Sequence, residues 1–391
     1  HKPGVGGSNP LPATIFKKRQ NLKKLKKILQ ALFKDFFYKI FSLIYGNIKG
    51  TIKNGEDSRV KVLLSIKEKK INYKVFKVKN ARLYTDRIHD MAIILDNLIV
   101  DGPSYQLRPI NNAEVEDNVV FKKGTPRIKK KLNGTILSLL TGGAGNDNYF
   151  HWMYDVLPRI AICDEVIDVS KIDYFLIPSL DKKYQRETLD ILNIPNSKLL
   201  TSKFYRHVSG TEILATQHPY CIKNDASKEI QNIPIWISQW LRKKFLIAST
   251  GKINTPKKIY IDRSDSQSNV KNLRSIINET EVQNYLKNKG FEIVCLSNFS
   301  FKDQVNIVGN ADTIVGLHGA GFANFCFCKP KTQILELKSS TAGKMYENLA
   351  TSNNLIYKVI SCKSEKFDQQ NQFGHIKIPI NELNTAIESF N

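Results

Sequence analysis

The stretch Ala311-Asp-Thr-Ile-Val-Gly-Leu-His318-Gly-Ala-Gly321-Phe-Ala-Asn324-Phe carries the apolar run Thr313–Leu317, then His-Gly-Ala-Gly, then a second apolar run. A run that short, closed by glycines, predicts a buried strand handing over to a helix near Phe322–Phe327. Glycines at such a handover let a ligand approach the backbone, and the free amides at the helix start favour a diphosphate. A tight turn with a buried His318 is the plainer alternative. Working outward, strands are expected at Lys258–Asp262, Glu292–Leu296, Gln333–Leu337 and Ile356–Val359. Helices are expected at Glu279–Lys289, Lys302–Asn310 and Lys344–Ser352. That alternation is the signature of a parallel, Rossmann-like sheet.

Toward the N-terminus the theme recurs less regularly. Strands Thr135–Leu140, Tyr174–Ile177 and Glu212–Ala215 alternate with helices Tyr149–Val166 and Tyr184–Leu192, and the helix Ile233–Ile247 marks a boundary. Before them, Val60–Ile66, Ile71–Val78 and Ala92–Val100 are β-branched runs separated by turn-like residues. The chain therefore divides into residues 1–50, an α/β domain 51–232 and a Rossmann-like domain 233–391. With 391 residues, 41% of them hydrophobic, and only 14 Pro and 21 Gly, whole-chain disorder and fibrous repeats are excluded.

The net charge of +23 is unevenly spread. Residues 1–50 hold eleven Lys/Arg against Asp35 alone, so ten of the excess positive charges sit in one eighth of the chain. That concentration favours a local device over a basic body that wraps nucleic acid, and no nucleic-acid partner is expected. From Phe16 to Tyr45 apolar residues recur at spacings of three and four, while seven Lys/Arg crowd positions 17–27. This predicts a basic amphipathic helix. Its most apolar piece, Ala31 to Tyr45, is interrupted by Lys34, Asp35 and Lys39 and falls short of the roughly 20 residues a span needs. Residues 16–45 are thus expected to lie on an anionic membrane surface, or else to pack on the chain's own domain or another subunit. The first residues, HKPGVGGSNPLPAT, read as a trimmed or appended end.

Six cysteines without a C-x-x-C pair, mostly inside apolar runs, point to a reducing, cytoplasmic compartment and no zinc. There is no Asp-x-Asp triplet and no H-E-x-x-H, so a metal-independent site is expected. The sequons at Asn133, Asn278 and Asn298 are too common by chance in an Asn-rich chain to shift that view.

A second stretch carries chemistry: Thr141-Gly-Gly-Ala-Gly-Asn-Asp-Asn148-Tyr-Phe-His151-Trp-Met-Tyr-Asp155-Val-Leu-Pro-Arg159. On a helix His151 and Asp155 share a face, and Arg159 continues the row. A carboxylate beside an imidazole fixes its tautomer and stabilises its protonated form, which makes a general base. A buried pair that only glues the helix is the alternative, and Pro158 limits or kinks that helix. The glycines of TGGAGN match neither a dinucleotide nor a Walker motif. Arg263, after strand Lys258–Asp262, reaches the same sheet edge as His318 and suits bidentate phosphate contacts. Asn278 with Glu281 fits a capping box. Glu336, an acid in an apolar strand, must be paired or bound to something, ribose hydroxyls being one candidate.

Together NYFHWMYDVLPR (Asn148 to Arg159), YIDRSDS (Tyr260 to Ser266), the element from Arg274 through Asn278 to Glu279, and ADTIVGLHGAGFANFCF (Ala311 to Phe327) followed by ILEL resemble glycosyltransferase family 61. That family includes eukaryotic protein O-linked N-acetylglucosaminyltransferases, plant xylosyltransferases and bacterial capsule-type enzymes. The resemblance covers about Thr135 to Val359. It implies a GT-B-like fold of two facing Rossmann-like domains, inverting transfer, and a nucleotide-sugar donor, most often a UDP-sugar, held mainly by the C-terminal domain. By position it implies that Arg263, His318, Gly319, Ala320, Gly321 and Asn324 hold the donor diphosphate and Glu336 the nucleoside, with Asn148, Arg274 and Asn278 as further candidates. His151 and Asp155 would face the cleft, one as base and the other as its partner. The chain departs from the family pattern at Phe322, at Cys326-Phe-Cys328 and at Ser268-Asn-Val. The expected activity is transfer of a sugar to a glycan, lipid-linked or polysaccharide acceptor at the inner membrane face. The alternative is a catalytically silent nucleotide- or glycan-binding protein of the same fold.

Overall fold

The computed structural model describes residues 13–67, 71–85, 91–104, 114–140, 148–222, 225–246, 255–266, 274–366 and 374–390. The C-terminal half is built on five parallel strands in the order Glu292–Val294, Lys258–Ile261, Thr313–Leu317, Gln333–Ser339 and Ile356–Cys362. Alternate residues enter opposite cores, as a sheet covered on both faces requires. Tyr260, Val315 and Leu335 pack under helices Glu279–Asn288 and Ile380–Glu388, beside Val282, Leu286, Leu383 and Ile387. Ile259, Ile314 and Ile334 enter the other core with Phe301, Val305 and Phe325.

The order of these strands reverses direction between Lys258–Ile261 and Thr313–Leu317. In open α/β sheets that reversal opens a crevice at the carboxyl ends of the strands, where ligands bind. Arg263 follows the first of these strands and His318 the second.

The N-terminal half departs from the expected Rossmann-like domain. In its first sheet four neighbouring strands run parallel, in the order Leu199–Thr201, Tyr174–Ile177, Thr135–Ser138 and Glu212–Thr216. Beyond them the sheet is extended by the antiparallel pair Ile71–Lys79 and Val60–Lys67. Helices cover one face, but a second six-stranded, mostly antiparallel sheet covers the other. The two sheets join through Val78, Ile136, Leu176 and Ile213 on one side and Leu83, Ile93 and Val208 on the other. The run expected as one strand, Ala92–Val100, is a hairpin in this second sheet. Asp96 and Asn97 both adopt positive φ, 47° and 66°, and fold Met91–Leu95 back on Leu98–Val100. Two central residues of that conformation make the turn whose twist matches paired strands. The parallel part still reverses order, between Thr135–Ser138 and Glu212–Thr216, and its carboxyl edge leads to His151 and His218.

The helix Ile235–Phe245 joins the halves, occupying the place expected for Ile233–Ile247 up to residue 246. Trp236 Nε1 donates to Tyr73 Oη at 2.9 Å on the N-terminal side. Phe245 packs edge-on against Phe301, and Arg242 Nη1 donates to the Cys328 carbonyl at 2.6 Å, on the C-terminal side. Trp236, Ile237, Leu241 and Phe245 are all buried in one apolar core that runs through both halves. At about 1.5–3 kcal/mol per large buried side chain, four such residues hold the halves together firmly.

The chain's first described element is a 33-residue helix, Ala13–Tyr45. Leu25, Leu29, Leu32, Phe33, Phe36 and Leu43 stand exposed along it. Its C-terminal end is held: the Tyr45 ring meets His207 edge-on at 4.8 Å and its hydroxyl accepts from Lys129 N at 2.9 Å. No described helix is long and apolar enough to cross a membrane.

Candidate active site

Asn148 caps the helix of His151 by accepting from Phe150 N at 2.9 Å. The helix expected from Tyr149 to Val166 does not run evenly. Trp152–Val156 widens into a π turn, with Leu157 N bonded to the Trp152 carbonyl at 3.1 Å, and a new α-helix starts at Pro158 and ends at Asp164. Pro158 has no N–H to give the preceding turn, so the bonding pattern shifts by one residue there. Such widened turns are frequent at functional sites.

His151 Nδ1 donates to Asp155 Oδ2 at 2.7 Å. The Asp155 side chain is fully buried and that of His151 is 24% exposed. With Nδ1 committed to the carboxylate, a neutral His151 carries its lone pair on Nε2. Burial works against charge on Asp155, but the His151 imidazole, through its charge and hydrogen bond, with His218 and Tyr220 beside it, outweighs burial and holds the carboxyl below its usual range. Arg159 does not pair with this carboxylate; its Nε donates to the Asp155 backbone carbonyl at 3.0 Å and its Nη1 to the Thr216 carbonyl at 3.1 Å.

His218 and Tyr220 are site residues that sequence reasoning missed. Both follow strand Glu212–Thr216 in Gln217-His-Pro-Tyr220, and a polar triplet straight after an apolar strand was the available signal.

On the C-terminal side, Arg263 Nη1 donates to the His318 carbonyl at 2.8 Å. The guanidinium lies so close over Gly319 that a Cβ there would stand 2.9 Å from Arg263 Cζ. A Cβ at Gly321 would stand 3.2 Å from Ile261 Cγ2. Ala320–Phe327 form a tight 3₁₀ helix where an ordinary helix was expected from Phe322. His318 Nδ1 pairs with Glu336 Oε1 at 2.5 Å, and Tyr357 Oη donates to Glu336 Oε2. Glu336 is fully buried, so it sits behind His318 with an oxygen on each partner. Burial, then the neighbouring Arg263 charge, pushes the Arg274 guanidinium down to about 10. Burial lowers Arg263 as well. Both remain cations at neutral pH, in surroundings that an anion would relieve.

The two sides meet. Tyr149 Oη donates to Asn324 Oδ1 at 2.7 Å, and Tyr154 Oη to the Ala323 carbonyl at 3.1 Å. Phe150 packs edge-on against Tyr346, whose ring lies 4.8 Å from that of His318. The helix of His151 therefore lies against the glycine turn. Asn324 is buried, with its amide nitrogen on the Gly321 carbonyl at 3.2 Å.

Asn278 stands apart from this cluster. It precedes helix Glu279–Asn288, but its side chain makes no cap bond to that helix's backbone, which corrects the capping-box expectation. Its amide instead donates to Glu281 Oε2 and to the Ile378 carbonyl and accepts from Ile378 N, each at 2.9 Å. A tie to a segment 100 residues away outcompetes the local cap. The TGGAGN glycines and Ser268-Asn-Val lie outside the described residues. Among the described residues no three His, Cys, Asp or Glu side chains converge as a metal site requires.

No curated protein matches the chain. The model of the Glycosyltransferase 61 family matches residues 149–335, which begin at the helix of His151 and take in Arg263, Arg274 and the glycine turn after His318. Over residues 149–335, a little under half of the chain, the sequence is therefore similar to glycosyltransferase family 61.

Proposed function

We propose that the protein is an inverting glycosyltransferase that moves a sugar from a nucleotide-sugar donor, with UDP as the nucleotide, to a hydroxyl of a glycan, lipid-linked or polysaccharide acceptor. The observation that carries this reading is the His151 Nδ1 bond to the buried Asp155 carboxylate, on a helix packed against the turn of Arg263 and His318. In the proposed step His151 Nε2 takes the proton of the acceptor hydroxyl as its oxygen bonds to the anomeric carbon. The bond from that carbon to the diphosphate breaks and its electron pair leaves with the phosphate oxygen, inverting the centre. Asp155 holds the imidazole in one tautomer and balances the imidazolium. Arg263, Arg274 and the backbone from His318 to Gly321 face the departing diphosphate, which lets cations of the chain do the work a metal would otherwise do. Glu336 orients His318 from behind. Two facing domains, GT-B-like, fit a donor on one switch point and an acceptor on the other.

We place the protein on the inner face of an anionic membrane through residues 16–45, with their exposed apolar side chains in the interface and their lysines on the headgroups.

The test is a thermal-shift panel of UDP, GDP, ADP and CDP, without metal and then with Mn²⁺. A ligand at 100 times its dissociation constant adds about 2.7 kcal/mol to the native state. Selective stabilisation by one nucleotide without metal supports the reading, and a flat panel favours a silent binder. In transfer assays His151→Ala is expected to lose about 10²–10⁴-fold, the usual worth of one base; retention of more than a tenth of wild-type activity sinks the assignment.

A further inference from the structure

Asp155 faces a second histidine that the proposed mechanism does not use. His218 Nδ1 accepts from Tyr220 N at 3.3 Å and from Cys221 N at 3.0 Å. An imidazole nitrogen that accepts two amide N–H groups carries no proton, so the proton of neutral His218 sits on Nε2. Nε2 is buried without a hydrogen-bond partner and stands 3.9 Å from Asp155 Oδ2. Asp155 Oδ1 is likewise buried with no partner at hydrogen-bond distance, and the Tyr220 hydroxyl lies close enough to the carboxylate to favour its charged form beside His218. Both side chains are fully buried, so solvent does not screen the donor from the carboxylate.

We infer that His218 is a positioning residue: its locked Nε2–H keeps Asp155 an anion that only accepts, leaving His151 as the one proton acceptor of the pair. This rests on the reading of His151 as base and deepens it, because two neighbouring groups that could each take the proton are separated by a third. A buried donor dipole a few ångströms from a carboxylate lowers its proton affinity. A neutral histidine does so without adding a charge that would compete with the imidazolium. Burial, against the pull of Asp155, lowers His218 to about 3, so it stays neutral while His151 works. Among the described residues, the titratable and charged groups around Asp155 are His151 and Arg159 from its own helix and His218, Tyr220 and Cys221 from the loop packed on it. Burial, with Asp155 next to it, raises Tyr220 above its ordinary value, so it too stays neutral.

The experiment uses the full chain labelled with ¹⁵N on histidine and long-range imidazole spectra from pH 8 to 5. His151 and His218 are assigned by the signals lost in His151→Ala and in the His218 variants. His218→Asn keeps an acceptor for the Tyr220 and Cys221 amides but removes the donor at Asp155, while His218→Gln can still donate. The wild-type His218 should show a bare Nδ1, a protonated Nε2 and no titration in this range. The His151 ring spectrum at a fixed pH of about 7 should move toward that of an imidazolium in His218→Asn, because a less stabilised carboxylate holds the imidazolium more tightly. It should stay near wild type in His218→Gln. A His218 protonated on Nδ1 or titrating near 6.5 overturns the inference, as does an unmoved His151 in His218→Asn. If His218→Asn does not fold, the wild-type tautomer and titration decide alone. None of these readouts uses transfer activity, so failure of the base assignment, seen as transfer surviving in His151→Ala, is read separately.

Discussion

The Tyr149 hydroxyl donates to Asn324 Oδ1 at 2.7 Å, and this bond, together with that from Tyr154 to the Ala323 carbonyl, ties the helix of the candidate base to the turn of the candidate donor site across 175 residues of chain. Asn324 is buried, and its amide nitrogen is already turned toward the Gly321 carbonyl. Tyr149→Phe leaves that buried acceptor unsatisfied, at a cost of about 1–3 kcal/mol. The urea midpoint should fall accordingly. Transfer should fall beyond what the lost stability explains, because the two sides lose one of the two hydrogen bonds that fix their spacing. A variant with wild-type transfer would show that the tie serves stability alone.

Acid should destabilise the protein well above the range where carboxylates titrate. Burial pushes His207 down to about 4 and His218 to about 3, against 6.5 for an ordinary histidine. The unfolded chain therefore takes up protons that the folded chain refuses. The stability these groups contribute is complete above pH 6.5 and is lost as pH falls toward 4 for His207 and 3 for His218. Each costs about 1.4 kcal/mol per pH unit in that window. Urea unfolding at pH 7.5, 6 and 5 should give nearly constant stability above 6.5 and a slope approaching two protons near pH 5. A flat profile to pH 5 would show that both histidines charge in place.

Gly319 has an extended backbone, φ 172°, so alanine meets no conformational penalty there. Its Cβ would nevertheless stand 2.9 Å from Arg263 Cζ, and the guanidinium must swing away from the His318 carbonyl. Gly319→Ala should therefore lower the melting temperature by a few degrees through the lost Arg263–His318 bond, while nucleoside diphosphate affinity falls about tenfold or more, the worth of one displaced charge-assisted contact. Calorimetric titration on both proteins measures this. Equal affinity would place the anion elsewhere than beneath Arg263.

Which parts of this were legible in the sequence follows from what writes itself into local pattern. Strand Thr313–Leu317 is buried on both faces, so it reads as an unbroken apolar run, and the glycines after it mark the switch point. His151 and Asp155 sit four apart on one helical row, and that spacing survives the π turn. By contrast, His218 reaches Asp155 only because two strands of one sheet end side by side, a relation that no spacing within a loop records. The His318–Glu336 pair is of the same kind, set by the register that lays Leu317 beside Leu337. Asn278 misled because its neighbour Glu281 completes a local motif, while Ile378, its stronger partner, is distant in sequence. The second N-terminal sheet was hidden in Ala92–Val100, where Asp96-Asn97 turns one apparent strand into two.

The helix Ala13–Tyr45 gives the last prediction. Leu29 is 57% and Phe33 65% exposed, and nothing among the described residues covers them. The seven Lys/Arg of positions 17–27 precede most of the exposed apolar residues on the same helix. Each basic residue near an anionic surface is worth about 1 kcal/mol, and the apolar side chains add to that by insertion. The full chain should float with vesicles containing about a third anionic lipid, much less with neutral ones, and less again as salt rises. Truncation of residues 1–36 removes the charges and most of the exposed apolar side chains. It leaves Tyr45 on His207 and Lys129, so the folded body is preserved. The truncated chain should stay at the bottom of the gradient with an unchanged melting temperature. Equal flotation of both chains would end the membrane assignment. A full chain that stays down but sediments as a dimer, with the truncated chain monomeric, would transfer the helix to a subunit contact.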